Sequence, residues 1–144
     1  RTNNGFNFPL TISYTYTDAK FKNSFDSDFE PWGEVKNNDE IPYIPKNMLY
    51  ISFGVLSSKF ESYLRFKFID NTRIVAGKDN FSSLNSNDQQ RLFDFVTKYN
   101  LESNISLSLK VYNVFNSIYS VASRPAGLRP NMPRYIESEL NFNF

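Results

Sequence analysis

The side chains able to do chemistry here are acids, lysines, arginines and tyrosines, because the 144-residue chain has no histidine and no cysteine. That removes disulfides, thiol catalysis, the usual zinc sites and any imidazole base. No P-loop or glycine-rich phosphate loop occurs among its five glycines. Glu137 and Glu139 come closest to a working acid pair, but they fall on one face of a single strand-like stretch. Solvation, or pairing with Lys110 across a neighbouring strand, accounts for them. The chain therefore reads as a non-enzyme, with no cofactor and no metal implied. Sixteen Lys and Arg face fifteen Asp and Glu, a net charge of +1, so no global field draws the chain to nucleic acid. Locally the charge is uneven. Residues 22–45 hold six acids (Asp26, Asp28, Glu30, Glu34, Asp39, Glu40) against Lys22 and Lys36, a net of −4. Residues 114–132 hold Arg124 and Arg129 and no acid, a net of +2.

The elements that must position these groups alternate with a period of two, the mark of half-buried strands. Leu10, Ile12, Tyr14 and Tyr16 oppose Thr11, Ser13, Thr15 and Thr17. Leu49, Ile51, Phe53 and Val55 oppose Tyr50, Ser52 and Gly54. Phe60, Leu64, Phe66 and Phe68 oppose Glu61, Tyr63, Arg65 and Lys67. Ile105, Leu107, Leu109 and Val111 oppose Asn104, Ser106, Ser108, Lys110 and Tyr112. Ile136, Leu140, Phe142 and Phe144 oppose Tyr135, Glu137, Glu139, Asn141 and Asn143. One stretch is ambiguous. Leu92, Phe95, Val96 and Tyr99 have helical spacing, with Ser86 and Gln89 as a capping box. A strand would instead set Phe93, Phe95 and Tyr99 against Asp94 and Lys98. The period does not decide; the β-forming composition and the neighbouring strands favour a strand.

Six strands result. Their connections alternate between long (22–45, 72–91, 114–132) and short (57–59, 100–103), so all the long loops fall at one end of the sheet. Compact soluble domains rarely carry three such loops, whereas outer-membrane barrels carry long loops outside and short turns inside. Strands of about 9–12 residues suit a tilted crossing of a bilayer. The negative mean hydropathy and a longest apolar run of four residues, Met48 to Ile51, exclude membrane helices but not a barrel, which hides its apolar face by alternation. A soluble β-sandwich or lipocalin-like barrel would alternate too. Charges on the polar faces (Glu61, Arg65, Lys67, Lys110, Glu137, Glu139) favour a wet lumen. The final strand favours it further. Phe144, Phe142, Leu140 and Ile136 have the pattern of the terminal strand of bacterial outer-membrane proteins, which implies an assembly signal. The sequence opens on Arg1 without a leader pattern and reads as part of a longer chain.

Five stretches in order resemble the TonB-dependent outer-membrane receptors. They are Tyr14-Thr-Tyr-Thr-Asp18-Ala-Lys, Ile41-Pro-Tyr-Ile-Pro45-Lys-Asn, Leu92-Phe-Asp-Phe-Val-Thr-Lys-Tyr99, Val111-Tyr-Asn-Val-Phe-Asn116 with Tyr119, and Arg124-Pro-Ala-Gly-Leu-Arg-Pro-Asn-Met-Pro-Arg134. The third supports the strand over the helix. The last is similar to the ferric-dicitrate-type branch, although Asn131 stands where many relatives have Gly, and the Pro-Lys-Asn element lacks His. The resemblance implies an all-β, antiparallel transmembrane β-barrel. Residues 1–144 would be the C-terminal part, the last six of about 22 strands, with the N-terminal plug and earlier strands outside this chain. It implies a bacterial outer-membrane receptor for TonB-dependent uptake of a ferric chelate, a siderophore or ferric citrate. The implied partners are membrane lipid and lipopolysaccharide, the chelate, the energy-coupling TonB complex through the plug, and the barrel assembly machinery. A porin or adhesin barrel, or a soluble β-sandwich binding module, is the alternative. An anionic chelate would be gripped by arginine forks, which selects Arg124 and Arg129, with Arg73 next. The competing reading pairs these arginines with the acidic loop or with lipopolysaccharide phosphates. Tyr119, Trp32, Tyr43 and Phe81 read as loop packing or interface anchors.

Overall fold

A computed structural model describes residues 5–124 and 127–143; Phe144, Pro125 and Ala126 lie outside the described residues. In chain order the strands are β1 (Leu10–Tyr16), β2 (Phe25–Asp26), β3 (Glu34–Val35), β4 (Asn47–Leu56), β5 (Phe60–Ile69), β6 (Thr72–Arg73), β7 (Ser86–Asn87), β8 (Gln90–Glu102), β9 (Ile105–Tyr112), β10 (Ser120–Ala122), β11 (Arg129–Pro130) and β12 (Tyr135–Phe142). The six long ones form a single antiparallel sheet in the order β1-β4-β5-β8-β9-β12. Each neighbour is next in line along the chain, apart from the small ladders inside the long loops. No helix forms among the described residues. The stretch with mixed spacing is the thirteen-residue strand β8. Ser86 belongs to β7 and caps nothing.

Cross-strand register carries the alternation from one edge of the sheet to the other. Leu10, Ile12 and Tyr14 lie opposite Phe53, Ile51 and Leu49. Ile51 and Phe53 lie opposite Phe66 and Leu64, which in turn face Phe93 and Phe95. Phe95, Thr97 and Tyr99 meet Val111, Leu109 and Leu107, and these meet Ile136, Ser138 and Leu140. One face of the sheet is therefore predominantly apolar, with Thr97 and Ser138 among its residues. No described element packs over it. Ile12 is 61% exposed, Leu64 50% and Leu140 52%. Ile105, Leu107, Phe66 and Phe142 sit in the same sheet rather than between two, which removes the sandwich. Among the described residues only Val35 and Ile74 are buried hydrophobics, and both belong to the loops. The face measures roughly 650 Å² in projection, from strand spacing and rise. That exceeds the typical largest apolar patch of a soluble monomer, roughly 300–600 Å².

The opposite face is polar and closed by size alternation. Ser52, Ser106 and Ser108 are buried there although they lie on the surface of a sheet. Ser52 and Ser108 lie beside long side chains, and Ser106 lies between Asn100 and Asn141. Ser52 is opposite Arg65, and Ser108 lies between Lys98 and Glu139. Lys110 Nζ reaches Glu137 Oε1 across the ladder at 2.6 Å and Glu139 Oε2 at 3.8 Å, the pairing that the sequence implies. Aromatic rings border the apolar face near the short turns. Phe6 lies 6.4 Å from Phe8 and 6.1 Å from Phe60, and Phe8 lies 6.4 Å from Phe53.

The connections differ from expectation in two respects. β8 runs on to Glu102, so the second short turn is the pair 103–104 rather than 100–103, and a bulge between Asn100 and Glu102 absorbs the extra residue. The long loops are also not structureless. Each contains a short antiparallel ladder: β2 with β3, β6 with β7 and β10 with β11.

Gly54 is fixed by its neighbours. Its cross-strand partner Tyr63 lays its ring over it, and a Cβ would stand 2.7 Å from Tyr63 Cε1 and 2.7 Å from Pro9 Cγ. An aromatic covering a strand glycine in this way replaces the missing side chain. Gly54→Ala is expected to destabilise the full-length protein by about 1–3 kcal/mol, the usual overpacking cost, read as a lower denaturation midpoint in detergent. A midpoint equal to that of Thr11→Ala, an open position on the same face, would contradict this packing.

Candidate functional site

The three long loops meet at one end of the sheet, and Glu40 is where they are tied. Its backbone N–H donates to Gly77 O at 2.9 Å, joining the first loop to the second. Its carboxylate accepts from Arg73 Nε at 2.8 Å and pairs with Lys46 Nζ. Arg73 is only 5% exposed. Its Nη2 donates to Asp79 O, and its guanidinium lies 4.9 Å from the centre of the Phe81 ring. Tyr43, with a left-handed φ of 62°, donates its N–H to Arg73 O at 2.9 Å. Its hydroxyl accepts from the Arg124 N–H at 3.2 Å, which brings in the third loop. Asn87, buried beneath, accepts from Ser123 Oγ at 3.0 Å. Asp88 Oδ2 takes the Ser120 N–H at 2.7 Å.

The charges agree with this geometry. Burial pushes the Glu40 carboxyl up, but the hydrogen bonds from Lys46 and Arg73 and their positive charges outweigh it, so it is held below the ordinary value of 4.5.

Beside the knot lies a cleft of about 330 Å³ lined by Phe29, Glu30, Pro31, Trp32, Pro42, Tyr43 and Arg124. Trp32 is the hub of an edge-to-face cluster, 5.5 Å from Phe21, 5.9 Å from Phe25 and 5.4 Å from Phe29. Arg124 Nη1 pairs with Glu30 at the cleft wall. This arrangement offers ring surface and one cation whose partner is largely exposed.

The arginines singled out by sequence thus have different fates. Arg124 lines the cleft and is joined to the acidic loop. Arg129 is exposed and donates from Nη2 to Arg124 O at 3.0 Å, so the two stand together. Arg73 is linked to Arg124 only through Tyr43, and its guanidinium is engaged inside the loop knot. Trp32, Tyr43 and Phe81 pack the loops, and Tyr119 Oη donates to Arg91 O at 3.2 Å. Ile136, Leu140 and Phe142 lie on the apolar face of the edge strand β12.

Two residues that organise this end carried little signal. Glu40 counted only as one acid of six. Asn113 is 5% exposed with a φ of 49°. It accepts the Ser117 N–H at 2.9 Å and donates from Nδ2 to Ser117 O and Met132 O. Its N–H bonds Asp94 Oδ1 at 2.8 Å. Asn tolerates this backbone better than most residues, and that preference was the readable clue.

No family model matches the chain, and no curated protein matches it. Solved structures do. The closed form of the ferric-catecholate import receptor Fiu from K12 E. coli is similar over 95% of this chain at 18% identity and a TM-score of 0.71. The siderophore receptor PiuA from Acinetobacter baumannii is similar over 94% at 16% identity and a TM-score of 0.74. Both neighbours are outer-membrane β-barrel receptors, and the fold of this chain is that of a sheet from such a barrel. The chain spans 19% of the length of each.

Glu40 gives a test with a defined sign. A carboxyl whose folded value lies below 4.5 contributes fully above that pH and loses its contribution as pH falls through the folded value. Protection of the Glu40 and Tyr43 amides, referenced to intrinsic exchange at each pH, should hold down to pH 4.5 and fall below it. Glu40→Gln, which strands the buried Arg73, should lower this protection above pH 4.5, by an amount equivalent to about 3–5 kcal/mol, and should converge with the wild type once Glu40 is protonated. Unchanged exchange in that variant would remove Glu40 from the centre of the loops.

Proposed function

We propose that the chain is the C-terminal barrel segment of a TonB-dependent outer-membrane receptor that takes up a ferric chelate. The observation that carries this is the single-layer sheet with a continuous bare apolar face and all its long loops at one end. Ten-residue strands reach about 34 Å, or about 26 Å along the membrane normal at 40° of tilt, against an apolar band of about 25 Å in such barrels. Six strands are too few to close a transmembrane barrel, whose minimum is about eight. In this reading they are the last of about 22, and a plug upstream meets TonB. Localisation is the bacterial outer membrane. The terminal strand, with Ile136, Leu140, Phe142 and Phe144, serves as the signal read by the barrel assembly machinery.

The loop end is the ligand face. Arg124 and Arg129, adjacent and at the rim, are the proposed grips on the anionic chelate, whereas Arg73 holds the loops in shape. Ferric dicitrate is the first candidate, from the resemblance of residues 124–134. The aromatic cleft favours a second: a chelate carrying planar rings would stack on Trp32 and Tyr43 while its negative charge displaced Glu30 from Arg124.

Uptake of iron-55 by cells carrying the full-length protein tests both. Arg129→Ala should lower uptake of the true ligand about tenfold at subsaturating concentration, as expected for one charge-assisted hydrogen bond, with normal surface levels. Trp32→Ala should impair a ferric catecholate far more than ferric citrate if the cleft sets specificity. Undiminished uptake of both chelates in both variants would discard these residues as the site.

A further inference from the structure

The rim of the apolar face at the long-loop end is electrically lopsided. Over β4 and β5 it is a closed polar chain: Tyr14 Oη donates to Asn47 Oδ1 at 2.7 Å, and Asn47 Nδ2 donates to Asp70 Oδ2 at 2.8 Å. Over β8 and the start of β12 it carries two arginines. Arg91 lies opposite Phe68 and in step with Phe93 and Phe95, so it belongs to the apolar face, and it is exposed. Arg134 is exposed immediately before β12, in step with Ile136.

Neither guanidinium has an acidic partner among the described residues. Arg91 Nη2 donates to the neutral Gln89 Oε1 at 2.7 Å. Arg134 Nη1 makes a 3.5 Å contact with Val114 O, and its N–H donates to Asn116 Oδ1. Of the carboxylates at this end, Asp70 is held by Asn47, by the Asn71 N–H and by Gln89 Nε2 at 3.4 Å, and Asp88 by the Ser120 N–H. Glu137 and Glu139 are on the other face, at Lys110.

Spacing brings the two arginines to a common target. Val114 donates its N–H to Phe93 O, one bond beyond the last pair of the β8–β9 ladder, Phe95 and Val111. Arg134 then stands level with Phe93, one strand beyond β9, and Arg91 one residue pair higher. Strand spacing and rise put their Cα atoms about 12 Å apart, so both forks can reach the same headgroup. Exposed apolar side chains accompany them at the start of the third long loop and on β12. Phe115 packs edge-on to Phe93 at 5.2 Å and is 69% exposed, and Ile118 is 76% and Ile136 60% exposed.

We propose that Arg91 and Arg134 clamp the phosphates of a phosphorylated glycolipid in the leaflet on the long-loop side, with Phe115, Ile118 and Ile136 against its acyl chains. Arginine forks match phosphate oxygens bidentately, and cations beside a bilayer surface attract anionic headgroups. The inference rests on the receptor reading, because only a chain set in a membrane offers this rim to lipid.

Native mass spectrometry of the full-length protein, extracted from outer membranes in mild detergent, tests the clamp. The wild type should retain bisphosphorylated lipid A, and Arg91→Gln with Arg134→Gln should lower the bound fraction about tenfold, with single variants between. Lys98→Gln, on the polar face, should change nothing. Wild-type protein in nanodiscs should prefer bisphosphorylated lipid A over its dephosphorylated form, and millimolar inorganic phosphate should not displace it. Equal retention by the double variant, equal binding of dephosphorylated lipid, or displacement by free phosphate would overturn the clamp. The nanodisc comparison needs no variant, so it stands even if the double substitution fails to assemble. A protein that fractionates with the outer membrane but shows no headgroup preference overturns the clamp alone. A protein absent from that membrane overturns the receptor reading with it.

Discussion

Register between neighbouring strands is the constraint on which the rest depends. Because side chains alternate strictly, a slip of one residue anywhere would move a whole strand's apolar set to the other face. Six strands in step produce one face of Leu, Ile, Phe and Val and one of Ser, Lys, Glu and Asn. The bulge near the second short turn absorbs an odd residue at the last pair of the β8–β9 ladder, leaving the register of the pairs from Phe95 to Asn100 intact. A sheet built this way has no core of its own among the described residues. Its apolar face needs a covering, and a bilayer supplies one without asking for a second layer of protein.

The same constraint sends the functional groups to one end. With three long connections on one side, the polar side chains that are not needed in the sheet gather in the loops. There they cannot rely on a hydrophobic core, and polar ties replace it. Glu40 binds Arg73 and Lys46, Tyr43 binds Arg73 and Arg124, and Asn113 ties the start of the third loop to its end. Such ties are directional and breakable, which suits a surface that admits a ligand. They also leave Arg129 in the open next to the aromatic cleft rather than consuming every cation.

The sequence made the sheet readable because alternation is a local signal repeated over 8–13 residues per strand. Strand faces, the one-sided loops and the Lys110–Glu137 pair all followed from it. The small ladders β2–β3, β6–β7 and β10–β11 were not readable, since two or three residues carry no period. The burial of Arg73 was hidden for a different reason. A loop arginine reads as exposed, and its partner Glu40 lies 33 residues away. Arg91 was missed because one cation among apolar alternates looks like an interruption of a strand rather than the rim of one. Asn113 was visible as part of a motif, while its role as a buried clasp needed the positions of Ser117 and Met132.

The central claim is that the bare face of the sheet lies in lipid. The chain's lack of cysteine makes a direct measurement simple in a full-length protein free of other cysteines. Spin labels would be attached singly at Leu64, Arg65, Phe66 and Lys67 in reconstituted membranes. Accessibility to oxygen, which concentrates in the bilayer, would be compared with accessibility to a water-soluble nickel chelate. The account predicts oxygen maxima at positions 64 and 66 and minima at 65 and 67. Uniform aqueous accessibility, or an alternation with the opposite phase, would contradict it.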